Sequence, residues 1–276
     1  MTPKRTPCIL CGSTRREELI WKQDWHVFRC ASCGLGFLDP LPSDLEMASL
    51  YDETYFADQY DRGIDPHTPD FTKRLRLEGH RIRFFKGLKG AGSVLDLGCG
   101  NGYFLAACRE KGYGVTGVDI SEWAADYVRG VLGIEVVTGR LDSLDWPGRL
   151  FDVVTLWHVL EHTRDPLRAI VKAVSWLKED GILVVEVPNY EGTDARRLWE
   201  DWVGWQLPYH FYHFTPAALM RLLNACGLHV IKKKTYHSEA VKKNLRRHVI
   251  FRPFARLVAR CYSGTGIAVA AVRKRD

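Results

Sequence analysis

The stretch VLDLGCGNG, residues 94–102, joins a short apolar run to three glycines that are separated by single residues. Glycine lets the backbone approach a ligand closely, and the N–H groups at the start of a following helix face that ligand. In an open α/β sheet, the first turn of this kind binds a nucleotide-like molecule. The spacing differs from the G-x-G-x-x-G of dinucleotide folds and from the G-K-[ST] of P-loops. The glycines therefore predict either a site for a nucleotide-like cofactor or simply a tight turn between strand and helix.

Predicted helices and short apolar strands alternate along the chain after the glycine turn. Helix is predicted over 102–111 and strand over 114–118, and the alternation continues to a final strand over 266–272. The strands are continuous apolar runs, which is typical of a parallel sheet covered on both faces. We therefore predict a doubly wound α/β domain. Asp119 ends the second strand, about 20 residues after the glycines, where an acid binds a ribose diol.

The composition is that of a globular protein. The chain has 276 residues, of which 46% are hydrophobic and 26% are charged. This length suits one large domain, or one domain with a small module. No stretch approaches the ~18 continuous apolar residues of a membrane span. Residues 1–7 lack the apolar core of a secretory signal, so we expect reduced cysteines and a cytoplasmic location.

Two CxxC pairs lie near the start of the sequence. They are Cys8-x-x-Cys11 and Cys30-x-x-Cys33, with 18 residues between them. Each pair can present two thiolates to one tetrahedral metal, and the spacing is typical of zinc. Four thiolates leave no open coordination position, so we expect a structural Zn²⁺. This ion would fold a zinc ribbon over residues 1–42, which is too small to have a core of its own.

Four segments, in this order and spacing, resemble the class I S-adenosylmethionine (SAM)-dependent methyltransferases. They are VLDLGCGNG at 94–102, GVDIS at 117–121, FDVVTLWHVLEH at 151–162 and GILVVEVP at 181–188. The resemblance covers about residues 75–275 and implies SAM as cofactor. It also implies a Rossmann-like, seven-stranded sheet whose last strand is antiparallel. We place the methyltransferase domain at 71–276, after a connector over 43–70 that covers the active site.

The same resemblance implies which residues hold SAM. The glycine turn holds the methionine part, Asp119 holds the ribose, residues after the third strand lie along the adenine, and two histidines line the floor beside the sulfonium. The implied residues are Asp96, Gly98, Cys99, Gly100, Gly102, Asp119, Ile120, Leu141, Asp142, His158 and His162. Arg140 stands where many relatives carry an acid.

Residues 158–162 also spell H-x-x-E-H, which is a zinc-peptidase motif when it lies within a helix. Here the motif directly follows a buried strand and precedes Arg164-Asp165-Pro166. We therefore reject the peptidase interpretation. For each histidine of the motif, a structural hydrogen bond stands as an equal alternative to a functional role.

The cysteine module and YDETYF at 51–56 resemble the front of a methyltransferase subgroup. That subgroup includes sugar C-methyltransferases and relatives that act on glycans or natural products. It implies a small or carrier-linked acceptor that is methylated by in-line displacement. LPYHFYHFTP at 207–216 resembles the subgroup's histidine-containing motif. Since histidine titrates near neutrality, we expect His210, and next His213, as the base, with Tyr55 reaching the pocket.

Aromatic residues are concentrated after the fifth strand of the methyltransferase pattern. Two interpretations stay open for them: core packing, or a lid that stacks on a planar or sugar-like acceptor. The residues are Trp199, Trp202, Trp205, Tyr209, Phe211, Tyr212 and Phe214.

The net charge of +6 is concentrated near one end of the chain. Residues 232–260 contain ten Lys or Arg and one acid, Glu239. Within them begins a basic helical insert, 239–262, in which Leu245, Val249, Phe254, Leu257 and Val258 are spaced like one helical face. Such a segment lies on a membrane surface, binds an anionic acceptor or RNA, or packs on the sheet as a solvated helix. Peripheral contact with the inner membrane surface is thus one expectation.

Methyl transfer to a small or carrier-linked, anionic acceptor is the favoured function. The alternative is an RNA methyltransferase that grips RNA with the ribbon and the basic helix. Nucleic acid is less favoured because Cys8–Cys33 carries only one excess positive charge and Val187-Pro188-Asn189-Tyr190 is not the N/D-P-P-[YF] motif of base N-methylation. A non-catalytic SAM-binding adaptor is a third reading, against which the intact glycine turn and Asp119 argue. The oligomeric state is not predicted.

Overall fold

The structure is a computed structural model. It describes residues 6–43, 45–47, 63–144, 146, 149–248 and 250–274. Tyr55 and most of the 43–70 connector lie outside these residues, so their predicted roles stay predictions. The chain divides into two compact units, made of residues 1–41, 160–167 and 186–269, and of residues 42–159, 168–185 and 270–276.

Eleven strands occur among the described residues. They are β1 (Arg16–Lys22), β2 (Trp25–Cys30), β3 (Gly36–Leu38), β4 (Ser93–Leu97), β5 (Gly114–Asp119), β6 (Glu135–Thr138), β7 (Phe151–Trp157), β8 (Leu177–Pro188), β9 (Tyr212–His213), β10 (Leu228–His237) and β11 (Ser263–Arg273).

Residues 45–47 are helical, and eight further α-helices have both of their ends within the described residues. They are α1 (Pro69–Phe85), α2 (Tyr103–Arg109), α3 (Glu122–Gly130), α4 (Pro166–Ser175), α5 (Thr193–Leu198), α6 (Pro216–Ala225), α7 (Glu239–Arg246) and α8 (Ala255–Ala259).

A seven-stranded mixed sheet has the strand order β10-β11-β8-β7-β4-β5-β6, with its last strands antiparallel. Strand β4 pairs in parallel with β5 and β7, and β5 pairs in parallel with β6. The inner strands are continuous buried runs, as in Val94, Leu95 and Leu97, because a parallel sheet is covered on both faces. The predicted doubly wound α/β class and the antiparallel last strand are confirmed.

Side-chain caps set the start of α1 and α3 in the second unit. The Ser121 hydroxyl caps α3 by accepting a hydrogen bond from the Ala124 N–H at 3.2 Å. Thr68 caps α1 in the same way through the Phe71 N–H. On α1, the buried Glu78 carboxylate is neutralised by Arg74 and Arg81.

A four-stranded sheet in the first unit has the order β1-β2-β3-β9. Its first three strands come from the cysteine module, whereas β9 comes from more than 170 residues further along the chain. In the antiparallel pairing of β3 with β9, Gly36 lies opposite His213 and Phe37 opposite Tyr212. The predicted ribbon is therefore extended by a strand that carries one of the predicted catalytic histidines.

The basic insert forms two short helices, α7 and α8. Turns separate α7 from α8 at Pro253, which has no N–H to continue a helix. The inward positions of α8 are Ala255 and Ala259, both fully buried, while Leu257 is exposed. The expected single apolar face is therefore replaced by an alanine face that packs inward. Within the described ranges, no helix is both long and apolar enough to cross a bilayer.

Candidate functional site

The glycine turn lies between β4 and α2, within the second unit. Gly98, Gly100 and Gly102 have φ angles of 73°, 51° and 67°, which side-chain-bearing residues rarely adopt. A Cβ on Gly102 would lie 2.9 Å from Cγ2 of Val128, and a Cβ on Gly98 would overlap Val159. The backbone conformation and the lack of space together require glycine here.

Asp119, at the end of β5, holds this turn in place. Its carboxylate accepts hydrogen bonds from the Gly100 N–H at 2.7 Å and from the Ser121 N–H at 2.9 Å. Burial raises the pKa of the carboxyl group, and the backbone N–H groups counteract part of that rise. Each carboxylate oxygen keeps a second lone-pair site. Asp119 can therefore also accept hydrogen bonds from a ribose diol, which fits the SAM-binding role that the sequence implies.

Asp96 is buried within β4 and accepts a hydrogen bond from the Thr155 hydroxyl at 2.6 Å. Burial raises the pKa of Asp96 to about 8, despite the Thr155 hydrogen bond and the positive charge of Arg81. The carboxyl group is therefore mostly protonated at neutral pH and can donate a hydrogen bond. Burial also raises the pKa of Cys99 well above its usual range, so this residue stays a neutral thiol.

The residues expected along the adenine lie in the same unit. Ile120 leaves 52% of its surface exposed next to Asp119, which provides an apolar face for a planar ring. Leu141 is nearly buried. Arg140 Nη2 contacts Asp142 Oδ2 at 3.1 Å. Arg140, which stands where many relatives carry an acid, therefore forms an ion pair with Asp142, one of the residues expected along the adenine.

His158 directly follows β7, is exposed, and has a φ angle of 59°. A side-chain-bearing residue in this left-handed region costs about 1–3 kcal/mol, and such strain is concentrated at functional sites. This conformation suits a functional role and a structural hydrogen bond alike, so both interpretations of His158 stay open.

A second group of titratable side chains lies in the first unit. Glu161, His162 and His210 each offer a ligand atom, and these atoms lie within 4.8 Å of one another. Glu161 and His162 form a single 3-10 turn that follows β7 by a few residues. The rings of His162 and His210 meet edge to face, with their centroids 4.6 Å apart. We call these three residues the histidine cluster.

Backbone carbonyl groups orient both histidines of the cluster. His162 Nδ1 lies 3.0 Å from the Tyr209 oxygen, and His210 Nδ1 lies 2.9 Å from the Gly204 oxygen. A carbonyl only accepts, so Nδ1 of each ring donates, and the neutral form of each ring then has its lone pair on Nε2. The histidine cluster therefore presents two basic nitrogen atoms beside a buried carboxylate. Such a set can take up a proton or ligate a divalent metal ion.

His213 differs from His210 in its surroundings. It lies in β9, is 2% exposed, and its ring centroid is 5.0 Å from that of Trp205. Burial lowers the pKa of His213 to about 3, so the ring is neutral near pH 7. The predicted catalytic pair thus lies together, with ring centroids 6.2 Å apart, but only His210 belongs to the histidine cluster.

Most of the aromatic residues after β8 are core residues. Those with side chains almost entirely buried are Trp202, Trp205, Phe211 and Phe214. Trp199 differs, with 41% of its surface exposed. Of the two interpretations that the sequence left open, packing describes this segment, and Trp199 alone of these five aromatics offers much surface to a ligand.

The four ribbon cysteines are close enough to bind one ion. All four sulfur atoms lie within 4.8 Å of one another, and Cys8 Sγ is 3.5 Å from Cys33 Sγ. The N–H of Gly12 donates to the Cys8 oxygen and that of Gly34 to the Cys30 oxygen, which makes two equivalent turns. Tetrahedral sites with Zn–S bonds of about 2.3 Å require similar sulfur spacing.

Ionisation of the ribbon thiols is uneven. Burial opposes ionisation of Cys30, yet hydrogen bonds from the backbone of Cys33 and Ser32 outweigh it and lower the pKa of Cys30 to about 7. Burial raises the pKa of Cys8 to about 11. Cys30 is therefore ready to bind a cation, whereas Cys8 needs the cation itself to deprotonate it.

A seven-stranded sheet of this order, with a glycine turn after β4 and an acid at the end of β5, defines a class I SAM-dependent methyltransferase. A family model described as "Methyltransferase domain" matches residues 71–233. The chain belongs to this family.

Curated relatives carry related names. A ubiquinone biosynthesis O-methyltransferase of Coxiella burnetii is 35% identical over 107 residues, which cover 37% of this chain and 45% of the relative. The protein of the same name from Idiomarina loihiensis is 34% identical over 151 residues, covering 49% of this chain and 60% of the relative. The chain thus spans about half the length of these relatives.

Solved structures share the fold. A SAM-dependent methyltransferase from Archaeoglobus fulgidus has a TM-score of 0.55 and 25% identity, covering 81% of this chain and all of that chain. The magnesium protoporphyrin IX methyltransferase of Synechocystis, solved with bound S-adenosylhomocysteine (SAH), has a TM-score of 0.56 and 17% identity, covering 84% of this chain and all of that chain.

Two features of the site were not predicted from the sequence. Glu161 was not a predicted site residue, although it belongs to the H-x-x-E-H segment and lies in the histidine cluster. The pairing of β9 with the ribbon has no local signal, because two residues of strand are too few for a hydrophobic pattern.

Proposed function

We propose that this chain transfers the methyl group of SAM to a small or carrier-linked acceptor, such as a sugar or an intermediate of a glycan or natural product. The Asp119–Gly100 hydrogen bond carries this proposal, because it couples an acid suited to a ribose diol with a turn suited to the rest of the cofactor. The two curated relatives described above are named as ubiquinone biosynthesis O-methyltransferases, and these names support a small-molecule acceptor rather than RNA.

SAM supplies an electrophilic methyl group on a sulfonium. The acceptor atom forms its bond to the methyl carbon as the carbon–sulfur bond breaks, and the bonding pair stays on sulfur. An O–H or C–H acceptor must also lose a proton. We assign that proton to His210 Nε2, since Nδ1 donates to the Gly204 carbonyl and the neutral ring then takes up a proton at Nε2.

The other histidines take lesser parts in this proposal. His162 packs on His210 and keeps its ring in place. His213 serves the fold rather than the proton transfer, because burial holds its pKa at about 3 and makes it a weak base at neutral pH. For His158, His162 and Tyr55 we keep the roles that the family resemblance implies, which are contact with the sulfonium for the two histidines and contact with the acceptor for Tyr55.

We further propose that the four ribbon cysteines hold one structural Zn²⁺. The sulfur spacing and the two glycine-terminated turns support a closed tetrahedral site. A closed site leaves no position for substrate, so the ion stabilises the ribbon sheet and takes no part in the chemistry.

The proposal is tested by label transfer. Purified protein is incubated with methyl-labelled SAM and with separated RNA, protein, lipid-linked glycan and small-metabolite fractions. We expect label in the glycan or small-metabolite fraction, and a loss of about 10²–10⁴-fold in rate for His210→Ala with SAM binding retained. The matched control is His229→Ala, which removes an exposed histidine from β10. Label in RNA would instead establish the alternative function.

Metal content separates a base from a metal ligand at His210. If His210 is a base, the wild type and His210→Ala both carry one zinc per chain. A second divalent metal in the wild type that is lost in His210→Ala would contradict the base assignment and make the histidine cluster a metal site.

A further inference from the structure

The basic insert exposes a row of large apolar side chains. Ile250 is 81% exposed and Leu257 is 63% exposed. The row also includes Phe251, Phe254, Val258 and Tyr262. These six belong to the nineteen exposed large apolar residues of the described chain, yet they fall within 13 consecutive positions. We call them the apolar row.

Helical turns place much of the apolar row on one side. The Val258 N–H donates to the Phe254 oxygen, and the Phe254 N–H donates to the Phe251 oxygen. Residues three or four apart in such turns are neighbours on the surface. The apolar row therefore forms a patch of adjoining side chains, which is uncommon on a protein that has no further contact to make.

The helix α8 buries its small side chains and exposes its large apolar ones, which is the reverse of ordinary core packing. Its small residues Ala255 and Ala259 are fully buried, while its larger residues Leu257 and Val258 face solvent. Burial of a leucine contributes several times more than burial of an alanine. A helix whose only task was to cover the sheet would turn its large residues inward.

Positive charges flank the apolar row. Arg246, Arg247, Arg252, Arg256 and Arg260 are all exposed. The one acid of the insert, Glu239, is paired with Lys242 and His237. The exposed insert therefore joins apolar side chains to a strong excess of cationic groups.

The insert is fixed to the first unit at its start. The buried Asp194 carboxylate accepts from the Ser238 hydroxyl and from the N–H groups of Glu239, at 3.1 Å, and Ala240, at 3.3 Å. Ser238 in turn caps α7 through the Val241 N–H at 3.0 Å. The insert is thus an anchored part of the fold that presents its apolar row outward.

We infer that the insert docks on an anionic lipid bilayer. Phe, Ile and Leu side chains enter the boundary between headgroups and acyl chains, and the arginines contact lipid phosphates. RNA fits less well, because single strands stack on aromatic rings and gain nothing from Ile250, Leu257 or Val258. This surface is independent of the identity of the methyl acceptor.

Vesicle co-sedimentation of the full chain tests the inference. We expect binding to vesicles of phosphatidylcholine and phosphatidylglycerol in equal parts, weaker binding to pure phosphatidylcholine, and weakening by salt. Leu257→Ala should weaken binding at least about tenfold, and Arg256→Gln about fivefold. The matched control is Leu77→Ala, since Leu77 on α1 is 61% exposed and lies outside the insert.

Three outcomes would overturn the inference. One is no binding to the anionic vesicles. Another is equal binding by Leu257→Ala and Leu77→Ala. A third is tighter binding of single-stranded RNA than of vesicles, with loss of that RNA binding in Arg256→Gln. All three variants are expected to bind SAM as the wild type does. Loss of vesicle binding with SAM binding intact is therefore distinct from a failure of the proposed methyltransferase function.

Discussion

Single residues around the glycine turn combine folding and binding. Asp119 ties the turn to α3 through two backbone N–H groups and keeps lone pairs for a ligand. Asp96, on the neighbouring strand β4, is buried as a mostly protonated acid and accepts a hydrogen bond from Thr155. The ribose-binding role of Asp119 is a prediction from its position at the end of the second strand, whereas the protonation of Asp96 depends on burial that no local pattern reveals.

Asp96 makes stability depend on pH in a defined direction. Its pKa is about 8 in the folded chain and about 3.9 in the unfolded chain. Its contribution to stability is complete below the unfolded pKa. As pH rises from about 4 to 8, the unfolded state loses this proton and the folded state keeps it, so the contribution is lost.

Asp96→Asn should remove this loss, because the amide oxygen still accepts from Thr155 and cannot ionise. Between pH 5 and 7, the variant should gain on the wild type by about 1.4 kcal/mol per pH unit. Urea denaturation at several pH values measures the difference in the free energy of unfolding. The control is Asp126→Asn, since Asp126 is an exposed residue of α3. Parallel stability profiles for wild type and Asp96→Asn would refute the account of Asp96.

At the scale of elements, the pairing of β3 with β9 joins distant parts of the chain. Gly36 permits this pairing, since a Cβ there would lie 2.8 Å from the His213 Cβ. The strands and caps of the sheet could be predicted because apolar runs, Ser121 and the glycines are local signals. The β3–β9 pairing could not, because it depends on two residues brought from far along the chain.

Gly36→Ala should therefore separate β9 from the ribbon. We expect a loss of about 1–3 kcal/mol in stability, as for other overpacked sites, measured by denaturant midpoint on zinc-loaded protein. Gly114→Ala is the matched strand control, because its Cβ would meet nothing within 4 Å. An equal loss of stability in Gly36→Ala and Gly114→Ala would show that the close approach of Gly36 to His213 does not contribute to stability.

At the scale of the whole molecule, one chain combines a SAM-type sheet, a cysteine ribbon, a histidine cluster and a basic insert. The ribbon was predictable from cysteine spacing and the sheet from the order of four motifs. The exposure of the apolar row could not be predicted, because periodicity in the insert predicts an apolar face without indicating whether that face is buried or exposed to solvent. The helix α8 turned its alanines inward, and the larger residues were left at the surface.

The central claim is that the turn at residues 98–102 and Asp119 bind SAM. Titration calorimetry of SAM into wild type, Asp119→Ala and the control Asp126→Ala tests it most directly. Loss of charge-assisted hydrogen bonds worth about 1.5–3 kcal/mol predicts that Asp119→Ala binds SAM about 10- to 100-fold more weakly, with Asp126→Ala unchanged. Equal affinities of Asp119→Ala and wild type, with both proteins folded, would contradict the claim and move the cofactor site elsewhere.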